Sequence, residues 1–202
     1  MNQPHSHVTR GGRRGFTVVE MLMVLALFGV LAAIALPMAQ PAVAGYQLAG
    51  QAHAIAYDIG LAKMQAASGF TQARLFVNLA TNSYRVEVWD KASSAWVNRG
   101  DTGALPSGIG FGYGAFSEPP PDTQGVIGQA PPCLDNALKP IASTSCVVFN
   151  SRGVPVDGTG VPTAADAVYV TDGSAVYGVT VAVGGLTQLW WTPTRALAWK
   201  RQ

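Results

Sequence analysis

The sequence of 202 residues predicts an α+β protein: a long N-terminal helix, membrane-spanning in its first half, packed in its second half on an antiparallel β-rich head. Three observations carry this expectation. An apolar run interrupted by one carboxylate extends from Phe16 to Leu36; apolar residues then recur at helical spacing from Leu48 to Ala66; beyond Gly69 the pattern shifts to aromatic and β-branched strands.

Composition bounds the problem. A 49% hydrophobic content is enough for one packed core, while charged residues make up only 12%. Between Gly15 and residue 70 the only acidic or basic side chains are Glu20, Asp58 and Lys63. Residues 1 to 15 are polar and basic, hold almost nothing apolar, and read as a cytoplasmic leader whose positive charge keeps the N-terminus inside. Arg10, Arg13 and Arg14 lie in it, as do His5 and His7, a metal-binding pair only in appearance. Loss of the leader would leave ten basic residues against eleven acidic ones, so the formal charge of +2 gives no global argument for nucleic-acid binding.

The 21 residues from Phe16 to Leu36 would form a helix of roughly 31 Å, about the thickness of a hydrocarbon core. Glu20 is the single ionisable group in that stretch. A carboxylate in a membrane costs a few kcal/mol on insertion scales, so it calls for a partner. The stretch Arg13-Arg14-Gly15-Phe16-Thr17-Val18-Val19-Glu20 resembles the class III signal of type IV prepilins and type II secretion pseudopilins. The resemblance implies cleavage between Gly15 and Phe16 by a prepilin peptidase, N-methylation of Phe16, and Glu20 as the fifth residue of the mature chain. In that family the glutamate meets the N-terminal amine of a neighbouring subunit in a helical filament. It also implies a single-pass inner-membrane protein with a periplasmic, pilin-like head. An ordinary export signal is the competitor: Arg13-Arg14 resembles a twin-arginine motif and Ala42-Val43-Ala44 fits an A-x-A cleavage site.

Pro37 and Pro41 predict a kink, because each removes a helical donor and crowds the preceding turn. Residues 37 to 69 thus form a kinked periplasmic half of the helix, with Leu48, Ala52, Ile55, Ile59, Ala62 and Ala66 on one face and Ser68-Gly69 at its end. Residues 70 to 202 form the head. Arg74 to Leu79 and Tyr84 to Trp89 read as a hairpin, which Trp96 to Arg99 extends. The alternating glycines of Gly108 to Gly114 do not follow a nucleotide-binding spacing and read as a strand. Residues 117 to 145 carry no regular pattern and read as a loop insertion. Cys133 and Cys146 read as a disulfide across it, worth about 3 kcal/mol in an oxidising compartment, two free thiols being the alternative.

Cys146 to Gly153, a buried-type strand ending in Phe149 before a polar turn, loosely resembles the GspH/FimT group of minor pseudopilins and minor pilins. Ala167 to Val170, Val176 to Val183 and Leu186 to Trp191 read as further strands, with Gly184-Gly185 as a tight turn. No catalytic constellation or cofactor site emerges, the mature chain having one histidine, His53, and no enzymatic motif. Asp157, Asp166 and Asp172 lack EF-hand spacing and read as turn-forming carboxylates, with calcium binding left open. Arg195, Trp199, Lys200 and Arg201 mix basic groups with an aromatic at the C-terminus; such a tail can hold a phosphate backbone and stack a base. Some FimT-type minor pilins are thought to bind DNA through a basic C-terminus, and this tail is similar in character. A solvated strand whose tryptophans cover the core is the plainer account.

The resemblance implies a structural subunit, at or near the tip of a type II secretion pseudopilus or type IV pilus, partnered by other pilins. The intact mass of the mature protein separates the two N-terminal readings: we expect a chain beginning at Phe16, with or without a methyl group, and a start at Gly45 would establish the ordinary export signal.

Overall fold

The computed structural model describes residues 15–163, 166–194 and 198–202, without the side chains of 37–41. The chain divides into two compact units, residues 1–42 and 43–202. One helix, α1 (Val18–Ser68), contributes to both. From Val18 to Leu36 its apolar side chains are exposed. α1 is helical through Pro37 and Pro41, the sites of the expected kink, whose side chains lie outside the described ones.

The second unit begins with the rest of α1 and continues through eleven strands. These are β1 (Ala73–Asn78), β2 (Ser83–Asp90), β3 (Ala95–Asn98), β4 (Gly103–Ala104), β5 (Gly110–Phe111), β6 (Thr144–Phe149), β7 (Pro155–Val156), β8 (Asp166–Thr171), β9 (Ala175–Val181), β10 (Thr187–Pro193) and β11 (Lys200–Arg201). They make two antiparallel sheets: β3-β2-β1-β6-β7, with β4 also on β2, and β11-β10-β9-β8-β5. The molecule is therefore α+β, with the apolar helix packed on antiparallel sheets.

Leu48, Ala52, Ile55, Ile59, Ala62 and Ala66 are each at most 1% exposed, so the stripe legible in the sequence is the packing face of α1. It meets the inner faces of both sheets in one cluster. From the first come Leu75, Val77, Val86, Val147 and Phe149; from the second come Val168, Val170, Val179 and Val181. Burying each such Leu, Ile or Val removes roughly 1.5–3 kcal/mol worth of apolar surface from water. Strand period 2 sends the alternate residues outward, and they too are apolar: Phe76, Cys146 and Val148 on the first sheet, Ala167, Tyr169 and Val176 on the second.

Those outer faces are covered by the stretch that lacks strand periodicity. Phe116 and Ile127, with Tyr113 and Trp199, close over Tyr169 and Val176. Cys133 and Ile141, with Trp96, close over Phe76 and Val148. Between the two covers, Gln129 pairs with β8 as a strand would, its side-chain amide donating to the Tyr169 carbonyl and accepting from the Tyr169 N–H, both at 2.9 Å. Residues 113 to 141 are thus the second half of the core.

The alternating-glycine run is less extended than the sequence suggests. Only Gly110–Phe111 pairs, against β8. Gly108 and Gly114 take positive φ, at 87° and 60°, and turn the chain at either end.

The hairpin turn β9–β10 and the turn between β6 and β7 are locked to the helix by Lys63. Its ammonium donates to the Gly185 carbonyl at 2.8 Å, and a Cβ on Gly153 would lie 2.9 Å from its Cε. Gly185 itself sits at φ +74°, where a Cβ would fall 2.3 Å from the Gly153 carbonyl oxygen. Neither backbone can yield without moving a sheet. Gly185→Ala is expected to cost about 2 kcal/mol or more, read as a lowered denaturation midpoint of the full chain in detergent.

Candidate functional site

At the N-terminus, Gly15, Phe16 and Thr17 precede the helix and are exposed, Phe16 by 78%. Thr17 caps α1: its Oγ1 accepts the Glu20 N–H at 3.2 Å and its carbonyl accepts the Met21 N–H at 3.1 Å. Thr17 is not among the residues singled out from the sequence, although Thr-x-x-Glu is a helix-start signature. The cap fixes where helix begins, so the Gly15–Phe16 bond lies outside it.

Val18–Leu36 is long and apolar enough to cross a membrane, with a mean hydropathy of 2.6 and none of it buried. Glu20 lies in its first turn and makes no ion pair among the described residues. Every residue from Phe16 to Leu36 is exposed. Residues 10–36 match the model of the prokaryotic N-terminal methylation motif. The N-terminal segment is type IV prepilin-like.

No curated protein sequence matches the chain. Among solved structures, the minor pseudopilin EpsH from the Type 2 Secretion System of Vibrio cholerae is similar at 10% identity and a TM-score of 0.44, over 71% of this chain and 95% of that one.

The other sequence-marked residues lie on the head. Cys133 and Cys146 are bonded, with an S–S distance of 2.04 Å. The intervening chain folds into a small hairpin, in which the Asp135 N–H donates to the Lys139 carbonyl and the Ile141 N–H to the Cys133 carbonyl. At the C-terminus, Lys200 and Arg201 form β11 against Trp190 and Trp191 and are exposed. Arg195 lies outside the described residues. Trp199 packs on Phe116 and Tyr169, with ring centroids 5.7 and 6.0 Å away, and its indole N–H donates to the Glu118 carbonyl. The ring is committed to the outer cover of the second sheet rather than presented for stacking on a base.

The three aspartates separate. Asp157 and Asp172 are turn formers: Asp157 Oδ1 accepts from the Thr159 N–H and hydroxyl and the Val161 N–H, and Asp172 Oδ1 accepts from the Ser174 N–H and hydroxyl and the Ala175 N–H. These hydrogen bonds hold the Asp157 carboxyl below the ordinary range. Asp166 departs from the expectation of a turn former. It opens β8 on the inward parity of Val168 and Val170 and is 5% exposed. Among the described residues, no three His, Cys, Asp or Glu side chains are grouped to hold a metal ion.

Beside it runs a buried charge network that the sequence did not reveal. Arg74 and Glu87 are cross-strand partners and pair at 2.6 Å; Arg85 pairs with the other oxygen of Glu87, also at 2.6 Å. The Arg74 guanidinium stacks over Trp96 at 4.0 Å and donates to the Leu134 carbonyl, which ties the disulfide hairpin to the sheet. Burial lowers its pKa, and Glu87 opposes that shift.

Burial raises the Asp166 pKa above its usual 3.8, with the Thr163 hydroxyl opposing and Asp157 adding to the shift. The folded state therefore holds this proton more tightly than the unfolded chain. Its contribution to stability is fully present below the unfolded value and is lost as pH rises through the folded one. The parent's denaturation midpoint should accordingly fall relative to that of Asp166→Asn as pH rises above 3.8, leaving the variant at least as stable as the parent at neutral pH.

Proposed function

We propose that the chain is a minor pilin or pseudopilin, a structural subunit at or near the tip of a type IV pilus or a type II secretion pseudopilus. The peptidase acts at Gly15–Phe16, Phe16 is N-methylated, and the mature protein is a single-pass inner-membrane subunit with its head in the periplasm. The observation that carries the reading is the methylation-motif match at residues 10–36, centred on a lone carboxylate in an exposed apolar helix.

The physical logic is one of deferred compensation. Glu20 costs a few kcal/mol in a membrane and finds no ion-pair partner among the described residues. A neighbour's N-terminal amine, freed by cleavage after Gly15, supplies one of the right sign only on assembly. An exposed scissile bond held just ahead of a Thr17-capped helix suits both the cut and the subsequent presentation of the amine. The head does no chemistry in this reading.

Glu20→Ala is expected to insert in the membrane as well as the parent while its incorporation into filaments, measured by crosslinking to co-expressed pilins, falls at least tenfold. Incorporation at the parental level would overturn the proposal.

A further inference from the structure

On the outer side of the first sheet, between the disulfide hairpin and the β7–β8 connection, lies a cavity of about 120 Å³. That is close to the ~150 Å³ that accepts a benzene-sized molecule in a protein core. Its apolar wall includes Trp89, Trp96, Leu134, Val148 and Val156. Trp89 and Trp96 meet edge to face, 5.4 Å apart at 72°.

The polar groups at the cavity are almost all engaged. Arg74 is held by Glu87 and the Leu134 carbonyl. Asp157 Oδ1 takes three hydrogen bonds from its own turn, and Asp135 Oδ1 takes the N–H groups of Ala137 and Lys139. Asp166 differs in its burial, being 5% exposed. Its Oδ2 accepts the Thr163 hydroxyl at 2.8 Å, and among the described residues its Oδ1, like Oδ2 of the half-buried Asp135 and Asp157, has no hydrogen bond. No enclosed side-chain oxygen or nitrogen among the described residues lacks a partner, so this acceptor borders accessible space at the cavity that Asp166 lines.

What fits is set by these groups. A carboxylate oxygen only accepts, so the ligand must donate, and a cation also offsets the charge. Three aspartates on the lining disfavour an anion, and among the described residues no three His, Cys, Asp or Glu side chains are grouped to hold a metal ion. The apolar wall asks for a hydrocarbon stem, and tryptophan faces attract cations, as Arg74 over Trp96 already shows. We infer that this cavity receives a lysine or arginine side chain of another polypeptide, its charged head on Asp166 Oδ1 and its stem along Trp89, Leu134 and Val156. The inference stands apart from the N-terminal motif.

Its test uses the isolated chemistry of that side chain. The full chain in uncharged detergent is titrated with n-butylammonium and n-butylguanidinium, followed by the indole N–H signals of Trp89 and Trp96. Saturable shifts are expected with at least one cation, and not with n-butanol or butyrate. Asp166→Asn, which can still accept from Thr163, should weaken binding at least tenfold, and Leu138→Trp, at an exposed position of the rim, should block it. The inference is overturned if neither cation gives a saturable shift, if n-butanol binds as well, or if both variants bind like the parent.

Discussion

One stripe of a helix has to cover the inner faces of two sheets, and the rest of the head follows from that. Leu48 to Ala66 supplies three branched residues and three alanines. The alanines let the backbone of α1 come close to the strands, while Ile55 and Ile59 share one cluster with Val147 on one sheet and Val179 on the other. A single helix has only one such stripe, and β1, β6 and β8 are apolar on both sides. Their outer faces would expose Phe76, Val148, Tyr169 and Val176 to water unless chain without a strand or helix of its own were folded over them. The long irregular stretch meets that need, and the disulfide, Gln129 and the Arg74–Leu134 hydrogen bond pin it in place.

This explains which parts of the fold the sequence discloses. The α1 stripe, the β1–β2 hairpin and the β8, β9 and β10 strands were legible because burial on a regular element imprints a period of 3.6 or 2. A covering loop has no period. Its buried residues, Phe116, Ile127, Cys133 and Ile141, fall at spacings set by the faces they cover, so residues 117 to 145 read as an insertion when they complete the core. The two-residue β7 and β11 are too short to imprint anything. Trp199 shows the same limit from the other side: beside Lys200 and Arg201 it looks like a stacking residue, but its neighbours in space are Phe116 and Tyr169.

The N-terminal site is legible for a different reason. In the proposed reading Gly15, Phe16 and Glu20 act through chemical type and spacing along the chain, which is what a sequence records directly. Asp166 could not be read this way, since its significance lies in Thr163, Trp89 and Leu134, brought around it by three separate segments. Even the Arg74–Glu87–Arg85 network is invisible until the register of β1 on β2 sets Arg74 opposite Glu87. Replacing one member would strand a buried charge, so the register and the network specify each other.

Two carboxylates break the rules that the rest of the chain obeys. Among the described residues Glu20 has no ion-pair partner in its apolar helix, and the buried Asp166 has only the Thr163 hydroxyl. Arg74, Glu87, Asp157 and Asp172 show that this chain satisfies its polar groups with neighbours wherever stability is the purpose. Where a local rule is broken without internal repair, the repair has to come from outside the chain. For Glu20 the proposed partner is a cation presented at the membrane boundary. For Asp166 it is a cation on a flexible stem. Each lies where an approaching chain could supply it, and no described residue of this chain does.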